Sequence, residues 1–214
     1  MSKRITLTTK DGFQIVGSYV KVAGDKAAIL LHMMPADRSS WEAFSIALAS
    51  AGYSSLAIDE RGHGESTMGG TVSYKSFTDE EQKAKILDVE AVIEYLAGEG
   101  YAKEHIVVVG ASIGANLAIQ TLSRHLEIPM AIALSPGLDY HGVLVDVSMR
   151  KLHDGQKVVL VASQDDRYSF ESVKKIHAQY PDNTALITRS RIGHGTNMTD
   201  TDPSLVSELL ELLP

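Results

Sequence analysis

Short apolar runs alternate with stretches of helical periodicity along most of this chain. Ile5–Lys10 and Phe13–Val22 flank an Asp11–Gly12 pair, which predicts a β-hairpin. Further strands are predicted at Ala27–His32, Ser54–Asp59, Ile106–Gly110, Ala131–Ser135, Val158–Ser163 and Thr184–Thr188. The helical patterns between them cover Trp41–Ala51, Asp79–Ala97, Ile113–His125, Phe170–Tyr180 and Ser204–Leu213. This alternation predicts an α/β fold: a mostly parallel sheet of about eight strands, helices on both faces, and an antiparallel hairpin at one edge.

Composition narrows the class of protein. The length of 214 residues suits one domain with a sizeable core, and no repeat or linker divides the chain, so we expect a single domain over residues 1–214. The net charge of −7 argues against nucleic acid or a membrane as partner. Without cysteine, thiolate metal sites and cysteine nucleophiles are excluded, and we expect no metal and no cofactor. The basic N-terminus lacks the apolar stretch of a signal peptide, so we expect a cytoplasmic protein.

A serine lies between the fifth predicted strand and the helix that follows. The segment Gly110–Ala–Ser112–Ile–Gly114 matches the Gly-x-Ser-x-Gly pattern of a nucleophile elbow. The glycines are needed because the strand reverses into the helix within about one turn, where neighbouring Cβ atoms would clash. The pattern predicts Ser112 as a nucleophile; the alternative is a serine that only caps the helix.

A serine hydroxyl needs a base, and a histidine base needs an acceptor that fixes its tautomer. His194 follows the last predicted strand, so it should overhang the carboxyl edge of the sheet, where ligands bind in such folds. Asp165 and Asp166 follow the preceding strand, and periodicity alone leaves either as the acid, with Asp139 a weaker third candidate. The other histidines have ordinary positions in a strand end, a turn, a polar stretch or a helical pattern: His32, His63, His105, His125, His141, His153 and His177.

An oxyanion hole requires two backbone N–H groups aimed at the developing negative charge. One should come from Ile113, directly after the nucleophile, and the other from the loop His32–Met33–Met34–Pro35. We interpret His32 as a buried residue that shapes this loop without proton chemistry.

Taken together, these segments resemble the α/β-hydrolase superfamily over nearly the whole chain. The matching elements, in order, are Leu30–His32, Asp59–Ser66, Gly110–Gly114, Ser163–Asp166 and Gly193–Gly195. The resemblance implies an α/β-hydrolase fold with Ser112, Asp166 and His194 as the triad, because the family's acid stands three residues after a small residue such as Ser163. It also implies that Met34 supplies the second oxyanion N–H, with Met33 as the alternative, and that Arg61 and His63 are scaffold residues.

The resemblance also bears on the substrate. The stretch between the sixth and seventh strands has room for one short helix around Val143–Lys151, so we expect a minimal cap and an open site, as in small carboxylesterases and dienelactone-hydrolase-like members. Candidates to line an apolar pocket are Met33, Met34, Tyr140, Met149 and Tyr168, and ordinary packing explains each of them equally well. The predicted function is hydrolysis of a small-molecule carboxylic ester through an acyl-enzyme. Thioester, amide or perhydrolase chemistry on the same residues is an alternative, as is a non-catalytic binding protein on a hydrolase fold.

Overall fold

Strands form the centre of the protein, whose computed structural model describes residues 2–214. The strands are β1 (Lys3–Thr8), β2 (Gln14–Val20), β3 (Lys26–Leu31), β4 (Tyr53–Asp59), β5 (Ile106–Ala111), β6 (Met130–Leu134), β7 (Asp139–Tyr140), β8 (Val143–Leu144), β9 (Lys157–Ser163) and β10 (Thr184–Arg189). Eight of them make one sheet of order β1-β2-β4-β3-β5-β6-β9-β10, and β7 pairs with β8 separately.

Helices connect most of these strands. They are α1 (Glu42–Ser50), α2 (Asp79–Lys83), α3 (Ile86–Gly98), α4 (Ile113–Arg124), α5 (Val145–Met149), α6 (Arg167–Gln179), α7 (Asn197–Thr201) and α8 (Pro203–Glu211). Over residues 2–214, no helix combines the length and the apolar character needed to cross a bilayer.

Strand direction confirms the predicted fold class. β1 pairs antiparallel with β2, and β2 antiparallel with β4, whereas every other neighbour in the large sheet is parallel. The register aligns the carboxyl ends of the parallel strands, since Leu31 is opposite Gly110 and Ala111 is opposite Leu134. The loops that follow β3, β5, β6, β9 and β10 therefore meet at one edge of the sheet, which is where this fold binds ligands.

Two apolar layers cover the sheet. On one face, Trp41 and residues of α1 and α8 such as Leu48 and Leu205 pack with the inner strands. On the other face, α3, α4, α5 and α6 bury residues such as Val89 and Leu117. Fully burying one such aliphatic side chain contributes about 1.5–3 kcal/mol relative to leaving it in water, so the apolar runs of the sequence account for the layering.

The predicted helix Asp79–Ala97 is wrong in one respect, because it is two helices. α2 begins with a capping box in which Thr78 and Glu81 satisfy each other's backbone N–H groups. The chain then tightens: Lys85 N–H donates to Gln82 O at 3.2 Å, three residues earlier, before α3 starts. Such i to i−3 bonds are the 3₁₀ geometry that often ends a helix, and here they direct Lys85 into the interior.

Smaller differences occur at the site edge and the C-terminus. The single cap helix expected at Val143–Lys151 is replaced by the β7–β8 hairpin and the shorter α5. α7, after the His194 loop, was not predicted, and α8 begins at Pro203, whose missing N–H suits the first helical position behind the Asp202 cap.

The contact between β5 and α4 leads to a prediction about stability. A Cβ at Gly110 would lie 2.0 Å from the backbone oxygen of Gly114, so Gly110→Ala forces the strand and helix apart. We expect a loss of about 3 kcal/mol or more in the free energy of unfolding, at the upper end for overpacking. Gly98→Ala is the matched control: it ends α3 with no neighbouring atom within 4 Å, and should be neutral or slightly stabilising. Equal urea midpoints for the two variants would contradict the close-approach argument.

Candidate active site

Ser112 has the strained backbone of a nucleophile elbow. Its φ of 55° and ψ of −118° lie in a region that residues with a side chain rarely adopt. Its N–H donates to Leu134 O at 2.8 Å, and Ile113 then begins α4. The serine therefore lies at the carboxyl edge of the sheet, beside the positive end of a helix, where strain of this kind is typical of functional residues.

The predicted base and acid are in contact. His194 Nδ1 lies 2.6 Å from Asp166 Oδ2. The loop that carries the histidine has left-handed backbone at Gly193 and Gly195, with φ of 82° and 59°. Burial raises the pKa of Asp166, but hydrogen bonds from His194 and Ser169 outweigh it, and the net pKa is lowered. A charged acceptor on Nδ1 holds the proton there and leaves Nε2 free as a base.

Asp165, the alternative acid, has a different set of partners. Its carboxylate accepts the N–H groups of Arg191 at 2.9 Å and Gly193 at 3.2 Å, together with the Ser163 hydroxyl. These bonds hold the backbone of the loop that carries His194, and they lower the pKa of Asp165, with Ser163 as the largest cause. The two adjacent carboxylates thus face different targets: Asp165 faces the loop backbone and Asp166 the imidazole. Asp139 accepts the Gly142 N–H in the β7–β8 turn instead.

Two serines that the sequence analysis missed support this arrangement. Ser135 directly follows β6 with a φ of 54°, and its hydroxyl accepts the Gly195 N–H at 3.0 Å. Ser169, in the first turn of α6, donates its hydroxyl to Ser135 O at 3.2 Å. The position of Ser135 at the end of a predicted inner strand was the available signal. Ser135 thus holds the histidine loop at Gly195, and Ser169 in turn holds Ser135.

The loop after β3 (residues 32–36), which we call the oxyanion loop for the role that the resemblance implies, is anchored at its start by His32. His32 Nε2 accepts the Glu60 N–H at 3.1 Å, so Nδ1 carries the proton and donates to Met33 O at 2.9 Å. The peptide between Met33 and Met34 is trans, so its N–H points opposite to its carbonyl and away from His32. Over residues 2–214 that Met34 N–H has no acceptor in the protein. The first N–H of α4, on Ile113, has no intrahelical partner either.

The expected pocket residues are placed unequally around Ser112. Tyr140 is half-buried beside the Ser112 hydroxyl; burial raises the pKa of the phenol, and its contacts with Ser169 and Ser112 act in the opposite direction. Tyr168 meets Tyr140 edge-on at 5.6 Å and donates to Asp139 O at 2.9 Å. These two rings form an aromatic wall on the cap side.

The three methionines expected in the pocket also lie at different distances from the site. The Met33 sulfur packs against Gly195, where an added Cβ would lie 2.5 Å away, so it borders the histidine loop. Met34 sends its sulfur toward Gln82, at 3.8 Å from the amide nitrogen. Met149 is 2% exposed in the core cluster of α5 and α4.

Features elsewhere do not join this site. A cavity of about 910 Å³ lies between β2 and α1, where Arg38 and Ile46 line it. The remaining histidines contact local partners, namely His105 with Asp25, His125 with Glu90, His141 with Asp79, His153 with Leu126 and His177 with Thr184. His105 ends a 3₁₀ turn directly before β5.

Sequence comparison gives the family. The family model described as "Serine aminopeptidase, S33" matches residues 25–207. The chain belongs to this family. It is therefore a hydrolase of the α/β-hydrolase superfamily, as the sequence motifs had indicated. No curated protein is a detectable relative by sequence.

Solved structures support the fold of this hydrolase. An esterase from Pyrococcus furiosus is similar with a TM-score of 0.80 at 22% identity, over 99% of this chain and 91% of that one. A dienelactone hydrolase from Anabaena variabilis gives 0.75 at 12% identity, over 99% and 95% of the two chains. A predicted CIB-like hydrolase from Thermoplasma acidophilum gives 0.75 at 18% identity, over 100% and 98%. At these identities the likeness concerns the fold.

The two carboxylates generate a prediction about activity. Asp166→Asn replaces the acceptor on His194 Nδ1 and favours the wrong tautomer, so kcat on an activated ester should fall by up to about 10⁴-fold. Asp165→Asn keeps one acceptor oxygen for the loop. It should lower kcat by only about 3-fold, with a small loss in the free energy of unfolding. A large loss at Asp165 with a mild one at Asp166 would reverse the assignment. Circular dichroism of both variants is the folding control.

Proposed function

We propose that this hydrolase cleaves carboxylic esters through an acyl-enzyme, with Ser112 as nucleophile, His194 as base and Asp166 as the acid partner. The contact between His194 and Asp166 carries the proposal, because it lies at the same sheet edge as the strained Ser112. Membership in a serine hydrolase family and a fold shared with esterases support it.

The proposed reaction has two halves. The Ser112 oxygen bonds to the ester carbonyl carbon while His194 Nε2 takes the hydroxyl proton, giving a tetrahedral intermediate. The intermediate collapses, the bond to the alcohol oxygen breaks, and the imidazolium gives its proton to the departing alcohol. Water then attacks the acyl-enzyme with the same base, releasing the carboxylic acid and restoring the serine.

The N–H groups of Met34 and Ile113 are proposed to stabilise the negative charge of the tetrahedral intermediate. Met34 is proposed because its N–H points away from His32 and has no protein acceptor within residues 2–214; the Met33 N–H has none there either, so Met33 is the alternative donor. Removing one donor of such a hole costs about 10²–10³-fold in kcat, so the orientation of this one peptide is worth several kcal/mol.

Small, readily accessible esters are the proposed substrates. The cap is only a two-stranded hairpin and one short helix, which leaves the site open. The Tyr140–Tyr168 wall and Met33 would contact the acyl or alcohol part of such an ester. Because the family is named for a serine aminopeptidase, activity on amides is the second candidate.

Replacing the nucleophile tests the proposal. Ser112→Ala should abolish covalent labelling by a fluorophosphonate and lower kcat on a p-nitrophenyl ester by at least about 10³-fold, leaving only the rate from the oxyanion hole and binding. Ser207→Ala, which removes an exposed hydroxyl on α8, is the matched control and should still be labelled. A Ser112→Ala protein that retains near-wild-type turnover would end the serine-hydrolase proposal.

A substrate panel separates the alternatives. p-Nitrophenyl esters, thioesters, lactones and an amino-acid p-nitroanilide should be compared by kcat/KM on one preparation. Esters should lead the panel. A preference for the anilide would favour the peptidase alternative, and a protein that neither turns over nor is labelled would be a binding protein on a hydrolase fold.

A further inference from the structure

Two buried histidines contact two backbone carbonyl groups of the oxyanion loop. His32 donates to Met33 O, as described above, and His63 Nδ1 lies 3.0 Å from Ala36 O. The rings are 4.7 Å apart, and His63 stacks on Tyr74 with centroids at 3.9 Å and an interplanar angle of 10°. The two contacts lie at either end of the loop, so together they define its path.

The bond to Ala36 requires one tautomer of His63. A carbonyl can only accept, so Nδ1 must carry the proton for this bond to exist. On the other side of the ring, Lys85 Nζ lies 3.2 Å from Nε2. An ammonium can only donate, so Nε2 must be the unprotonated nitrogen. Lys85 therefore selects the tautomer of His63 that can hold the loop.

Lys85 is itself placed by Glu60. Both side chains are fully buried, and Lys85 Nζ lies 3.0 Å from Glu60 Oε2. The backbone N–H of the same Glu60 donates to His32, so this residue serves both histidines. Within residues 2–214 the carboxylate oxygens accept no aligned hydrogen bond, so the lysine charge is their main compensation.

We propose that the buried Lys85–Glu60 pair positions the oxyanion loop: it holds His63 as the Nδ1–H tautomer, which fixes Ala36 and keeps the Met34 N–H facing the nucleophile. This inference rests on the proposed function, since the loop matters only if a negative charge develops beside Ser112. Lys85 and Glu60 are positioning residues and do not touch the substrate. Their effect should fall on kcat, because an oxyanion hole stabilises the transition state more than the bound ester.

The same cluster keeps His63 neutral. The groups that face its ring are Lys85, Glu60, His32 and Tyr74. Burial, followed by the charge of Lys85, lowers the pKa of His63 to about 3. A proton on Nε2 would point at an ammonium group and break the contact. The loop anchor thus stays intact through the pH range in which His194 is expected to work as a base.

The test is the neutral double variant Lys85→Met/Glu60→Gln, which removes both charges together and avoids leaving one buried and unpaired. We expect kcat on a p-nitrophenyl ester to fall about 10- to 100-fold, the size of a misplacement near 1 Å, with KM within about twofold. His63→Phe, which keeps the stacked ring but loses both nitrogens, should give a similar loss. Adding it to the double variant should change kcat little further, because the three residues act as a unit.

Nitrogen-15 NMR of the imidazoles supplies a readout that a packing role would not change. Wild-type His63 should be the Nδ1–H tautomer and should stay neutral down to about pH 5, which is well above its pKa in the folded protein. In the double variant the Nε2–H tautomer should gain population, because no ammonium group then donates to Nε2. The matched control is Arg61→Met/Asp88→Asn, a neighbouring buried pair in which Arg61 contacts Asp11 and Phe13. Asp88 also accepts the Arg61 N–H at 2.8 Å, and asparagine keeps an acceptor oxygen for that bond. It should lose stability while keeping kcat.

The outcomes separate the two proposals. Fluorophosphonate labelling of Ser112 in the wild type tests the function by itself. If the wild type is labelled and the double variant keeps full kcat, or if wild-type His63 is the Nε2–H tautomer, the positioning role is wrong and the hydrolase proposal stands. If Ser112→Ala retains turnover, the function fails first, and with it the catalytic meaning of the loop. An equal kcat loss in the Arg61→Met/Asp88→Asn control would assign the effect to general destabilisation and overturn the role.

Discussion

The close approach of α4 to the end of β3 is the constraint on which the site depends. A Cβ at Gly114 would lie 2.5 Å from Leu31 O and 2.7 Å from His32 O, so only glycine lets the helix start this close to the strand. This contact brings the first N–H of the helix and the oxyanion loop to the same place. The strain at Ser112 follows from the same reversal, because the chain must turn before the helix meets the strand. The backbone geometry at Ser112 therefore follows from the packing of α4 against β3.

A histidine proposed as a base needs a fixed backbone as well as a fixed ring, and for His194 different residues provide the two. Asp165 and Ser135 hold the backbone on either side of the loop, at Gly193 and Gly195. Asp166 contacts the imidazole. Adjacent residues can divide these tasks because successive side chains leave the end of a strand in different directions. A loop anchored at both ends loses less entropy when the ring is ordered, which is the condition for a preorganised base.

Most of the fold could be predicted from the sequence because an inner strand that is buried on both faces needs a continuous apolar run. It predicted the Ser112, Asp166 and His194 neighbourhood through the spacing of motifs, although their catalytic roles are still proposals. It did not predict the break before α3, since a lysine within a helical pattern normally indicates a solvated face. Nor could periodicity find Ser135 and Ser169, because their function depends on contacts across the sheet edge and not on local pattern.

The buried Lys85 is better explained by geometry than by stability. Replacing a buried ion pair with apolar residues is often neutral or stabilising by about 1–4 kcal/mol, so a pair of this kind needs another reason to be there. The neighbouring pair shows the cost: burial raises the pKa of Asp88 to about 6 even though Arg61 lies beside it. An apolar residue at position 85 would satisfy the core but could not donate to His63. The requirement for one tautomer of one histidine is therefore sufficient to explain a charge in the interior beneath the oxyanion loop.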